Sequence, residues 1–246
     1  MTNDAIGFQL VTENIASTLD EKVRFADGAL ASYNFIVILS AMAVMVLCKQ
    51  FAPGRLGVII SAFYHRSDTD KMTREWNSPT SLTGFLMTAS YIALLALFIQ
   101  KSVLVFNGDA LLYGGTDFFL KVCLFVSAFV SVRYLFINVN GWVFSTQPAS
   151  QHHATIHISM MTSVNFVLMA LVLILTFYQS KFCVILGIII MAVIYIYRIG
   201  KTFVDLQYLI KNETLKIFLY LCTLEIIPIL VAFTMAFRLV ATNSVL

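Results

Sequence analysis

Residues 158–177 read ISMMTSVNFVLMALVLILTF, and this stretch decides the fold. An α-helix rises about 1.5 Å per residue, so about 20 mostly apolar residues cross a hydrocarbon layer ~30 Å thick. The run has that length and holds no Asp, Glu, Lys or Arg, and neither does the longer tract 134–180 around it. It reads as a membrane-spanning helix. Thr162, Ser163 and Asn165 inside it fit that reading, because such side chains hydrogen-bond between spanning helices for about 0.6–2 kcal/mol each.

Working outward, five more charge-poor runs follow the same logic: residues 28–48, 82–100, 118–138, 182–197 (extending to about 200) and 217–237. The third run of the chain holds Lys121 and Arg133 near opposite ends, where long side chains snorkel to the interfaces. Lys181 and Arg198 flank the fifth and lengthen it in the same way, and the last is bracketed by Lys216 and Arg238 and interrupted by Glu225. Membrane strands are only about 9–11 residues long and alternate in polarity, so a β-barrel is excluded. Composition agrees: 59% of the 246 residues are hydrophobic and 12% charged, against about 25% charged in a soluble domain. The sequence therefore predicts an all-α, polytopic transmembrane bundle of six helices, one domain over residues 28–240.

Residues 1–27 carry Asp4, Glu13, Asp20, Glu21 and Asp27 with no early Lys or Arg, unlike the basic start of a signal peptide, and are expected to stay as an extracytoplasmic segment. No tract alternates basic with stacking aromatic residues, which argues against nucleic acid as a partner. The partner that composition implies is the lipid bilayer. Cys48, Cys123, Cys183 and Cys222 lie in or at the ends of apolar runs without CxxC spacing, as small hydrophobes do.

Orientation follows from the basic residues. With the amino-terminus outside, the inner loops and helix ends collect ten of the 16 Lys and Arg residues: Lys49, Arg55, Arg66, Lys71, Arg74, Arg133, Arg198, Lys201, Lys211 and Lys216. The excess predicts both termini outside the cytoplasm. The inner loop 49–80 enters through Pro53 and Gly54, and its apolar stretch 56–64 is too short to cross. It is expected to lie along the interface. Ser78 and Pro79 form a cap and first-turn pair for the second helix.

Glu225 is the residue most at odds with its surroundings, since an unpaired charge at the bilayer centre costs at least about 2.5–3.5 kcal/mol. It is expected to be paired with Lys121 or Arg133, bonded to a hydroxyl, or used as a proton, cation or substrate site. Pro228, three residues on, removes a backbone donor and frees carbonyls beside it. Arg133 with Tyr134, and Arg198 with Tyr195 and Tyr197, read as interfacial anchors. His152, His153 and His157 read as a polar turn just before the fourth helix. On a helix His153 and His157 share a face and form a weak metal or haem site. No Gly-rich phosphate loop, GxSxG elbow, HExxH or paired-acid motif is present.

Tyr220, Leu221, Cys222, Leu224, Glu225, Ile226 and Pro228 form a YLCxLEIxP pattern. It resembles the carboxy-terminal signature of a Bacteroidota family of multi-spanning integral membrane proteins of unknown function. The resemblance implies a bacterial inner-membrane location and supplies no activity and no cofactor. The missing catalytic motifs favour a non-enzymatic scaffold or assembly component of envelope machinery, meeting a membrane-protein partner through the loop from Arg55 to Glu75. The alternative is a small-molecule or ion transporter using Glu225. A weaker third is an intramembrane metal- or haem-dependent enzyme. Reporters active only in the cytoplasm are expected to be silent when fused at Leu246 and active near Asp70; the reverse pattern overturns the orientation.

Overall fold

The computed structural model of the chain describes residues 33–51, 53–75, 82–107, 115–143 and 147–209. Among these residues there are seven helices and no strand. Helix α1 is Tyr33–Phe51. It is followed by α2 (Pro53–Tyr64), α3 (Arg66–Glu75), α4 (Leu82–Asn107), α5 (Thr116–Val143), α6 (Gln147–Phe177) and α7 (Lys181–Leu209). Five of them, α1 and α4 to α7, are long and apolar enough to cross a membrane. The sixth expected run, 217–237 with Glu225 and Pro228, lies outside the described residues, as does the acidic segment 1–27.

Helix ends differ from the hydropathy boundaries where polar residues find partners. Helix α4 continues past Gln100 because Gln100 is fully buried and satisfied at both ends of its amide. It accepts from Tyr33 of α1 at 2.7 Å and donates to the Gly115 carbonyl at the start of α5 at 3.2 Å. Asp117 sits in the first turn of α5, where a carboxylate complements the helix dipole. The α6–α7 connection is closed by Ser180, whose hydroxyl accepts from the Phe182 amide at 3.3 Å as an N-cap. The largest departure is α6. It begins at Gln147, well before residue 158, with Pro148 in the first turn, where a missing amide hydrogen costs nothing.

Helix α6 is the axis of the bundle. In its most apolar stretch 67% of the residues are buried, against 17% for α5 and 17% for α7. It packs against α2, α3, α4, α5 and α7. The main core joins Ile38, Ala41 and Met45 of α1 with Met87, Leu94, Leu97 and Phe98 of α4 and Val164, Leu168, Val172 and Leu175 of α6. Lipid tails are as apolar as these side chains, so close contact between helices, more than escape from water, holds such a core together. Gly187 illustrates the point: a Cβ added there would lie 2.9 Å from the ring of Phe98. Its lack of a side chain is what lets α7 approach α4.

The segment 56–64, expected along the interface, is the helical body of α2. At 12 residues α2 is too short to span, and its buried face, with Leu56, Ile59, Ala62 and Phe63, is seated on protein. The last carbonyls of a helix have no intrahelical donor. Those of Ala62 and Phe63 accept from Lys201 Nζ at 2.6 and 2.7 Å. Ser159 of α6 donates to the Ile59 carbonyl, and Phe63 meets the Tyr197 ring edge-on at 5.2 Å between centroids. Within the hairpin, Ser61 donates to Asp68 at 2.6 Å and Thr69 to the Ala62 carbonyl at 2.8 Å. The α2–α3 hairpin thus caps the bundle end formed by the starts of α4 and α6 and the finishes of α5 and α7.

Gly187→Val is expected to cost about 1–3 kcal/mol through overpacking against Phe98, read as a lower unfolding midpoint of the detergent-solubilised protein. Truncating the opposing ring, in Gly187→Val with Phe98→Leu, should recover part of it. An unchanged midpoint in the single variant means that α4 and α7 do not meet there.

Candidate functional site

Beneath the hairpin the bundle buries a group of polar side chains that no hydropathy profile would place together. Arg133 of α5 is 4% exposed and Arg198 of α7 only 1%. His152, His153 and His157 of α6 are all buried, and Tyr91 of α4 is nearly so. Two expectations are corrected here. Arg133 and Arg198 do not reach outward as interfacial anchors, and the histidines do not form a turn ahead of the fourth helix. Because α6 already runs from Gln147, the histidines are carried on its first turns, in the part of the axis that the other helices and the hairpin enclose.

The guanidinium carbons of Arg133 and Arg198 lie 5.9 and 5.6 Å from the centre of the Tyr195 ring. Cation–π attraction of this kind contributes about 0.5–2 kcal/mol, the more when water is excluded. The Arg198–Tyr195 pairing expected at an interface is present but turned inward, and Arg133 meets Tyr195 rather than Tyr134. Both arginines act electrostatically on Tyr91 and on His157, and His153, one turn before, acts on His157 as well.

His157 is the centre of the arrangement. It is 5% exposed, and neither ring nitrogen has a hydrogen-bond partner among the described residues. It lines two cavities. The inner one, about 240 Å³, has Tyr91, Arg133, Tyr195 and Arg198 at its polar end and Leu95, Ile99, Phe125 and Phe129 at its apolar end. The wider one, about 620 Å³, opens between α4 and α5, with Gly84, Phe85 and Ser131 among its walls. Val130, His157 and Met161 belong to both linings, so these three side chains stand between the two spaces.

Other candidates are dispersed. His152 turns to the hairpin, with Nε2 3.3 Å from Asp70 of α3. Lys121 is exposed on α5, while Arg133 on the same helix is buried. Asn165 is fully buried and points its amide at Met87 of α4, with Nδ2 3.9 Å from the sulfur. On α7, Asp205 is buried one turn after Lys201. Among the described residues no three His, Cys, Asp or Glu side chains gather to hold a metal ion. The surroundings of His153 and His157 are also unsuited to one, since two guanidiniums repel a cation. Tyr91 and Tyr195 complete the cluster and were not singled out from the sequence as its members. Among the cysteines, Cys48 is buried, Cys123 and Cys183 are half-buried, and all three are free thiols.

No curated protein and no solved structure matches the chain. A family described as a domain of unknown function, DUF4271, matches residues 34–236, a span that includes all of the cluster and every helix described above except the first residue of α1. The chain is a member of the DUF4271 family.

Proposed function

We propose that this membrane protein binds a small amphiphile with an anionic head in the basic cavity beneath the hairpin, and works as a membrane-embedded carrier. The observation that carries this reading is His157, a buried imidazole with no partner for either nitrogen among the described residues, on the wall of a cavity it shares with two arginines. Leaving such a group unsatisfied costs about 1–3 kcal/mol. An ionisable side chain kept inside a membrane bundle at that cost marks a functional site by default. The sign of the ligand follows from the company His157 keeps: guanidinium forks match carboxylate and phosphate oxygens. The apolar end of the same cavity, with Leu95, Ile99, Phe125 and Phe129, suits a hydrocarbon tail.

A scaffold or assembly component accounts for the apolar surface, and its partner would meet the segment from Arg55 to Glu75. It gives His157 and the cavities no task. A transporter built on Glu225 would carry a proton or cation, whereas the cavity favours an anionic cargo. A metal- or haem-dependent enzyme using His153 and His157 would have to hold a metal cation beside Arg133 and Arg198. On the family resemblance and the Lys/Arg count, the membrane is taken as the bacterial inner membrane, with the hairpin end cytoplasmic and both termini outside.

The test is ligand-induced stabilisation of the purified full-length protein in detergent. Dodecanoate is expected to raise the unfolding midpoint, and uncharged dodecanol is not. At about a hundred times the Kd the gain is about 2.7 kcal/mol. Ile99→Trp, which fills the apolar end of the cavity, should abolish the dodecanoate effect while leaving the ligand-free midpoint within a few degrees. Equal stabilisation by dodecanoate and dodecanol, or an undiminished effect in Ile99→Trp, would refute the proposal.

A further inference from the structure

We infer that the ligand reaches His157 sideways from the bilayer, through the wider cavity between α4 and α5, and is therefore a single-chain membrane amphiphile with an acidic headgroup. This rests on the preceding reading and adds to it the source and class of the ligand.

The two walls of the wider cavity differ in chemistry. Ser127, Ser131, Tyr134 and Asn138 line it from α5. Their spacing of four, three and four residues puts them on one helical face. Several hydroxyls in the spanning helices donate back to a carbonyl one turn earlier, as Ser40 does to Val37, Ser102 to Phe98, Thr162 to Ile158 and Thr176 to Val172, while buried Ser90 and Thr202 do not. Neither Ser127 nor Ser131 makes such a bond, and Tyr134 and Asn138 have no side-chain hydrogen bond to a described residue either. A lipid tail satisfies none of these groups, whereas the oxygen-rich head of an amphiphile satisfies them in succession. On the α4 side, Thr88 has its hydroxyl turned back to the Gly84 carbonyl at 2.8 Å. That wall therefore presents Phe85, Ala89 and Ile92 to a passing chain.

The rim faces the bilayer. Phe85 is 69% exposed and Leu135 61%, so the opening is framed by apolar side chains that already mix with lipid. The floor is His157, with Met161 and Val130 between it and the inner cavity. Methionine has three rotatable side-chain bonds. A rotamer change at Met161 can therefore join the two spaces without moving a helix. A head travelling down the Ser127–Asn138 face meets His157 next and the guanidiniums after it, while its tail trails along α4.

The full-length protein in phosphatidylcholine nanodiscs is doped with one of three diazirine-bearing probes: palmitate, lysophosphatidate or hexadecanol. Crosslinked sites are then mapped by mass spectrometry. Palmitate or lysophosphatidate should label Phe85, Ile92 and Leu135 in the groove and Leu95 and Phe129 in the inner cavity. Whichever labels more strongly identifies the head as carboxylate or phosphate. Hexadecanol should label the inner cavity at least fivefold less. Ser131→Trp blocks the groove from its exposed side and should cut acidic-probe labelling of the inner cavity at least fivefold, with the unfolding midpoint unchanged. Inner-cavity labelling that is lost in His157→Gln but persists in Ser131→Trp overturns the lateral route and leaves the basic site standing. Groove labelling that is equal for acid and alcohol, with none in the inner cavity, overturns the basic site as well.

Discussion

A charge at membrane depth is stable only where protein surrounds it, and the rest of this structure depends on how α6 meets that constraint. Helix α6 carries no Asp, Glu, Lys or Arg, so it can be enclosed by its neighbours without stranding a charge. The charged side chains come instead from the helices around it: Arg133 from α5, and Arg198 and Lys201 from α7. The uncharged tract that first marks this chain as a membrane protein is the same feature that lets its axis be buried. What α6 contributes to the polar cluster is histidine, which is neutral or charged according to its surroundings.

The hairpin and the cluster are held by the same two helices. Lys201, which ties down the carbonyls of Ala62 and Phe63, lies three residues after Arg198. Ser159, which holds Ile59, lies two residues after His157, and His152, which meets Asp70, adjoins His153. A shift of α6 or α7 that changed the width of the inner cavity would also move the anchors of α2 and α3. Occupancy of the cavity and seating of the hairpin therefore share one set of contacts.

Much of the fold was legible in the sequence, because the length and charge poverty of a spanning helix are one-dimensional properties. Runs 82–100, 118–138, 158–177 and 182–200 all lie within helices of the structure. The candidate site was legible only in fragments. Arg133 and Arg198 stand at places in their runs where snorkelling explains them at no cost. A helix apolar on all sides gives no periodicity to say which face turns inward. The histidines were misread for a different reason. Residues 147–157 are too polar for a hydropathy window, yet nothing after Pro148 breaks a helix. A reading that extended α6 backward until a breaker was met would have put His153 and His157 on one buried face.

Among the described residues, His153 and His157 gather no third ligand of the kind a metal site needs. Two histidines one turn apart are a common beginning for a metal site, but a site needs further ligands, and the charged groups that act on His157 are Arg198, Arg133 and His153. Coulomb repulsion between a divalent ion and two guanidiniums grows as the local dielectric falls, so burial makes the site worse for a metal as it makes it better for an anion. Tyr195 turns the negative face of its ring toward both guanidiniums. On the proposed reading, the imidazole of His157 donates a hydrogen bond to a negatively charged oxygen arriving from the cavity side.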